Sequence, residues 1–122
     1  MYQVKQSLLD SLLESARAVY PNEFICLIGS TQDSLILDDL IVVPAVYGEN
    51  FSYIHSHLVP LDPSIQGSVH SHPSTANYPS TADKAAFRKL GQVHLIIGYP
   101  YNYTSVKMYD SKGHPLPFEV IP

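Results

Sequence analysis

The stretch HSHPSTANYPSTAD, residues 70–83, brings two histidines and an aspartate within reach of one point in space. His70 and His72 stand at i and i+2, so on a strand both imidazoles share a face. Pro73 ends that strand. Ser80 fits a helix N-cap with Asp83 at the third helical position. The intervening residues 73–79 are short enough to bring the helix start back to the strand end. Asp83, Ala86, Phe87 and Leu90 fall at i, i+3, i+4 and i+7, one stripe that is the buried face of the helix. A carboxylate on that face must be neutralised, paired or metal-bound, because burying it alone costs several kcal/mol. Two readings are open. Ser80 and Asp83 form a capping box near the helix N-terminus, or Asp83 joins His70 and His72 around a cation. Two imidazoles and one carboxylate leave the fourth position of a tetrahedral site for water, the arrangement of a catalytic zinc. The same donors also admit Fe(II), Co(II), Ni(II) or Mn(II). A bare HxH is more commonly a pair of surface histidines at a turn.

Glu23 opens the apolar segment EFICLIG and shares a strand face with Ile25 and Leu27. It is either an exposed strand-start residue or a carboxylate aimed into a site at the sheet end. In the second case it can take a proton from an attacking water and deliver it to a leaving amine. Cys26 falls on the opposite face and reads as a small buried hydrophobe. A single cysteine excludes an intramolecular disulfide framework and paired-cysteine metal sites. His55 and His57 repeat the HxH spacing, but Asp62, the nearest carboxylate downstream, lies in a proline-flanked loop with no helix start to orient it. They read as polar residues on a strand face. His94, inside QVHLIIG, reads as a hydrogen-bonded core residue, and His114 in KGHP as a turn residue. Tyr99, Tyr101 and Tyr103 read as surface and edge packing.

The elements that must position these residues follow from periodicity. Val4, Leu8, Leu12 and Ala16, with Leu9, Leu13 and Val19 beside them, predict an amphipathic helix stopped by Pro21. EFICLIG, apolar on both alternating faces, predicts a central strand. SLILDDLIVVP, FSYIHSHLVP and Gly67 to His72 predict further strands. STADKAAFRKL predicts a second helix ended by Gly91. QVHLIIGYP, YTSVKMYDSKG and PLPFEVIP close the chain as strands. The expected architecture is one mixed α/β domain over residues 1–122, a mixed sheet flanked by two helices. At 122 residues, 45% of them hydrophobic, the chain is the size and composition of one globular domain. Its net charge of −4 argues against a nucleic-acid footprint. No apolar run approaches the roughly 20 residues of a membrane span. The charged N-terminal pattern is not that of a signal peptide. The expectation is a cytoplasmic protein, monomer or homodimer, with no nucleic-acid or membrane partner.

Glu23, His70-x-His72-Pro73 and Ser80-x-x-Asp83 together resemble the JAMM motif of MPN+ domain metalloproteases: an upstream glutamate, HxHP, seven residues, then SxxD. PNEFICLIG resembles the family's P-x-E-x-x-G-x-L-x-G segment, with Cys26 where glycine is common. GSVHSHP, GQVHLIIGYPY and YDSKG also resemble small archaeal and bacterial members, so the likeness covers nearly the whole chain. It implies a cytidine-deaminase-like α/β fold, although the PCxxC of deaminases is absent. It implies one zinc ion per chain held by His70, His72 and Asp83. Glu23 would be the general acid/base and Ser80 would donate a hydrogen bond to the oxyanion. The implied reaction is hydrolysis of the peptide or isopeptide bond after the C-terminal Gly-Gly of a ubiquitin-like modifier, the partners being such modifiers and their conjugates. Two other functions fit the same features: a non-catalytic MPN scaffold module, and a metallohydrolase of small amides.

Overall fold

The structure, a computed structural model, describes residues 1–49, 52–54 and 59–122. The chain begins with β1 (Tyr2–Lys5) and runs directly into α1 (Gln6–Val19). Then come β2 (Ile25–Gly29), β3 (Ile36–Leu37), β4 (Asp39–Ile41), β5 (Ala45–Tyr47), β6 (Ser52–Ile54) and β7 (Ile65–His72). α2 (Thr81–Leu90), β8 (Val93–Gly98), β9 (Val106–Asp110), β10 (Pro115–Leu116) and β11 (Phe118–Ile121) complete it. The main sheet has the order β10-β9-β8-β7-β2-β4. β7 and β8 are parallel, joined by a crossover through α2, and the other neighbours in this sheet are antiparallel.

A helix covers each face of this sheet. Leu8, Leu9, Leu12, Leu13 and Ala16 of α1 pack with Cys26, Ile28, Val69, Leu95 and Ile97. On the other face Leu90 of α2 packs with Ile25 and Leu27, and Phe87 with Ile96 and Tyr109. Successive strand residues therefore alternate between two cores, which is why β2 and β8 are buried at every position and read as unbroken apolar strings. The expected mixed α/β architecture is the observed one.

Several boundaries differ from the sequence reading, each for a physical reason. Val4 is not helical. It lies on β1, which pairs in parallel with both β11 and β3, Val4 opposite Val120 and Leu37. Val4 nevertheless joins the core beneath α1, so its spacing to Leu8 mimics a helical stripe. SLILDDLIVVP is two strands in two sheets. The break is Asp38, whose carboxylate turns away to accept from the Thr31 backbone N–H at 2.9 Å and hydroxyl at 2.6 Å. PLPFEVIP divides at Pro117, which has no N–H for a ladder. β5 was not foreseen; it pairs with β6, Val46 opposite Tyr53. His55 and His57 lie outside the described residues. Among the described residues, no helix is long and apolar enough to cross a membrane.

The end of α2 decides how β8 enters the sheet. Gly91 has φ +129°, and a Cβ there would lie 2.4 Å from the Gln66 carbonyl oxygen. The chain turns against β7 at that point, and the Gln92 N–H donates to Gln66 O at 2.8 Å. Gly91→Ala therefore meets both a backbone conformation closed to L side chains and a clash with main chain. It should lose about 3 kcal/mol of stability, read as a lower urea midpoint with unchanged slope.

Candidate metal site

Ser80 is the N-cap of α2, and its Oγ accepts from the Asp83 N–H at 3.1 Å while Asp83 Oδ2 accepts from the Ser80 N–H at 2.9 Å. The capping box is thus complete. It also aims the carboxylate at the end of β7, where Asp83 Oδ2 lies 2.9 Å from His72 Nε2 and Oδ1 lies 3.4 Å from His70 Nδ1. The cap and the histidine cluster are not alternatives, because one carboxylate serves both. All three side chains are buried.

The proton on His72 follows from its partners. Nδ1 sits 2.8 Å from the Ala76 carbonyl oxygen, which only accepts, so Nδ1 carries a hydrogen. Nε2 faces the Asp83 carboxylate at 2.9 Å, a contact that favours the protonated ring. Burial alone would lower its pKa. The Asp83 hydrogen bond, the Ala76 carbonyl and the charges of Asp83 and Glu23 outweigh burial and raise it. For Asp83 burial pushes upward, but the His72 hydrogen bond, His70 and the Ser80 N–H bring the carboxyl down to about 2. His70 goes the other way: burial, reinforced by charge on His72 and opposed by Asp83, takes it down to about 4, so it is neutral.

Glu23 is also buried, just before β2. Its N–H donates to Gly48 O at 2.6 Å. The next residue is clamped to β7: the Phe24 N–H donates to Ser71 Oγ at 2.7 Å and the Ser71 N–H to Phe24 O at 2.9 Å. Ile25 is the register partner of His70. Ser71, between the two histidines but on the opposite strand face, thereby fixes where Glu23 stands. Sequence reasoning missed it, since only the β2–β7 register reveals the clamp. Glu23, His70, His72, Ser80 and Asp83 line one cleft of about 430 Å3, which Tyr53 and Tyr78 also border.

Among the described residues, no three His, Cys, Asp or Glu side chains form a ready-spaced metal cage. The three close on one another instead, His72 Nε2 against Asp83 Oδ2 and His70 Nδ1 toward Oδ1. The donor set nevertheless fits a divalent cation. Both ring nitrogens of His70 are buried with no hydrogen-bond partner among the described residues, a cost of roughly 1–3 kcal/mol per polar group. Imidazole nitrogens and a carboxylate oxygen are the ligands zinc takes.

The remaining candidates lie elsewhere. Cys26 is fully buried in the α1 core, and burial pushes its thiol pKa up. His94 is buried and hydrogen-bonded: Ser68 Oγ lies 2.7 Å from its Nδ1, and its Nε2 lies 3.1 Å from Gly91 O. His114 is exposed at the β9–β10 turn, its Nδ1 3.3 Å from Asp110 Oδ2. Tyr99 and Tyr103 are exposed as expected, but Tyr101 is not. It sits in the α1 core with φ +66°, its carbonyl accepting from Arg17 Nη2 at 2.6 Å.

Residues 5–109 match the family of prokaryotic homologues of the JAB domain. The chain is 32% identical over 122 aligned residues to a probable metalloprotease of Haloferax volcanii, covering 93% of this chain and 75% of that protein. A JAB1/MPN domain protein from Archaeoglobus fulgidus superposes with a TM-score of 0.79 at 33% identity, over 98% of this chain and 99% of that one. A structure described as JAMM, a metalloprotease-like zinc site in the proteasome and signalosome, superposes with a TM-score of 0.79 at 32% identity, over 100% and 99% of the two chains. The fold and the motif-bearing cleft thus define a small MPN-type domain of the metalloprotease-like kind. The chain belongs to the prokaryotic JAB-domain family.

His94 gives the pH dependence a definite sign. Burial lowers its pKa from 6.5 to about 4, so the folded state holds it neutral while the unfolded chain binds the proton first. Its contribution to stability is complete above pH 6.5 and is lost as pH falls through the window from 6.5 to 4. The metal-free protein should therefore lose stability across that window, and His94→Phe should show a shallower slope in urea midpoint against pH.

Proposed function

We propose that this chain is a zinc-dependent peptidase or isopeptidase that cleaves after the C-terminal Gly-Gly of a ubiquitin-like protein. His70, His72 and Asp83 would hold the metal, one ion per chain. The observation that carries the reading is the buried Asp83 carboxylate facing two imidazoles in the same cleft as the buried Glu23. Zinc, when bound there, supplies Lewis-acid polarisation of a carbonyl and a lowered pKa for water. The rest falls to the chain's own groups. Glu23 accepts a proton from the attacking water and delivers it to the departing amine, in a position set by the Ser71 clamp and the Gly48 carbonyl. Ser80 is exposed to the cleft, and its Oγ accepts from the Asp83 N–H. Its own O–H is left to donate to the developing oxyanion.

The kinship with a probable metalloprotease and the likeness to a metalloprotease-like zinc site support a metallopeptidase. A non-catalytic scaffold would leave without a reason the buried ring nitrogens of His70, which make no hydrogen bond among the described residues. A metallohydrolase of small amides needs the same groups, so substrate decides between the two.

Glu23→Gln keeps the size of the side chain and removes the base. It should retain zinc and fold yet lose about 10²–10⁴ in turnover on a protein joined through a C-terminal Gly-Gly isopeptide bond. A fully active variant would contradict the assignment of Glu23. Turnover of small amides without turnover of the linked protein would contradict the substrate.

A further inference from the structure

The two histidines of the site are held in different ways. His72 has the partner usual for a metal-facing imidazole, its Nδ1–H donating to the Ala76 carbonyl at 2.8 Å. His70 has no such partner: among the described residues neither ring nitrogen makes a hydrogen bond, and Nδ1 only faces its fellow ligand Asp83, whose Oδ1 is 3.4 Å away. What meets it is the Phe87 ring of α2, edge-on, with centroids 6.0 Å apart and planes at 68°. Phe87 is fully buried and in turn lies flat on His94, with centroids 4.1 Å apart and planes at 4°. His94 cannot turn. Its Nε2 faces the Gly91 carbonyl at 3.1 Å and so carries the hydrogen, leaving the Nδ1 lone pair to accept from the Ser68 hydroxyl at 2.7 Å. Ser68 is the register partner of His94 and shares a strand face with His70. Three rings thus stand in series across the α2 face of the sheet, the last of them fixed at both nitrogens.

We propose that Phe87 and His94 are positioning residues for His70, their ring stack taking the place of the outer hydrogen bond that this ligand lacks. The proposal rests on the reading of His70 as a metal ligand. A buried ring without hydrogen bonds keeps its plane only through what packs on it. Phe87 supplies that contact, and His94 holds Phe87 flat. Metal affinity at this site then depends on an aromatic ring at position 94 more than on the hydrogen bonds of that ring.

Two substitutions separate ring from hydrogen bonds. His94→Phe and His94→Leu both lose the bonds to Ser68 and Gly91, but only phenylalanine keeps a flat face against Phe87. The zinc dissociation constant of the full chain is measured by competition with a chelator, at a temperature where circular dichroism shows each variant folded. His94→Leu should weaken zinc binding about tenfold or more, the effect of losing an outer partner of a ligand, while His94→Phe stays close to wild type. Leu90→Ala, a cavity in the same helix face outside the stack, should lower thermal stability yet leave zinc affinity unchanged. Equal dissociation constants for the two His94 variants, or a loss in Leu90→Ala as large as in His94→Leu, would overturn the proposal. If the His94 variants do not fold, Phe87→Leu against Leu90→Ala makes the same comparison with the same expected loss. A wild type that takes up no zinc would instead defeat the ligand reading itself.

Discussion

A carboxylate on the buried stripe of a helix is the constraint around which this molecule is arranged. Asp83 sits against the sheet with little solvent to stabilise its charge, so protein groups must do so. Three of them do: the Ser80 N–H at the helix start, the N-terminal end of α2 itself, and the imidazole of His72, while His70 Nδ1 stands 3.4 Å from the other oxygen. Each demand shapes the chain around it. The cap fixes where α2 begins. The short loop from Pro73 to Pro79 returns that beginning to the end of β7, and the Ala76 carbonyl in the loop sets the tautomer of His72.

The two faces of the main sheet have divided their work accordingly. Facing α1, residues such as Cys26, Ile28, Val69, Leu95 and Ile97 make an apolar core. The α2 face carries the buried polar side chains Ser68, His70, His72 and His94 beside Ile25, Leu27 and Ile96. Strand alternation lets one strand serve both: β7 gives Val69 to the α1 core and His70 to the cleft. Ser71 faces the α1 side yet still serves the site, by holding the backbone beside Glu23. Glu23, His70 and His72 are therefore placed by main-chain hydrogen bonds and sheet register, and Ser80 and Asp83 by the cap of α2.

What was legible in the sequence was local. The HxH face, the Ser80 cap, the stripe from Asp83 to Leu90 and the stop at Gly91 all depend on spacings of a few residues, and all stand as read. What was not legible depends on distant pairings. Nothing near Val4 announces that its strand partner is Val120, so its spacing to Leu8 passes for helix. Tyr101 looks like its exposed neighbours Tyr99 and Tyr103 until the fold buries it beneath α1. The Ser71 clamp and the His70–Phe87–His94 series need the β2–β7 and β7–β8 registers, which span tens of residues. Sequence reasoning also set the cap and the ligand roles of Asp83 against each other, whereas a carboxylate has two oxygens and enough lone pairs to meet both.

The central claim is that the buried carboxylate and imidazoles exist to hold a cation. The most direct measurement is zinc content per chain by mass spectrometry under native conditions, on wild type and Asp83→Asn side by side. Asparagine can still accept from the Ser80 N–H, so it keeps much of the cap while removing the charge. The account predicts one zinc per wild-type chain and none in the variant. No zinc on the wild type after zinc is supplied, or equal zinc on both, would contradict it.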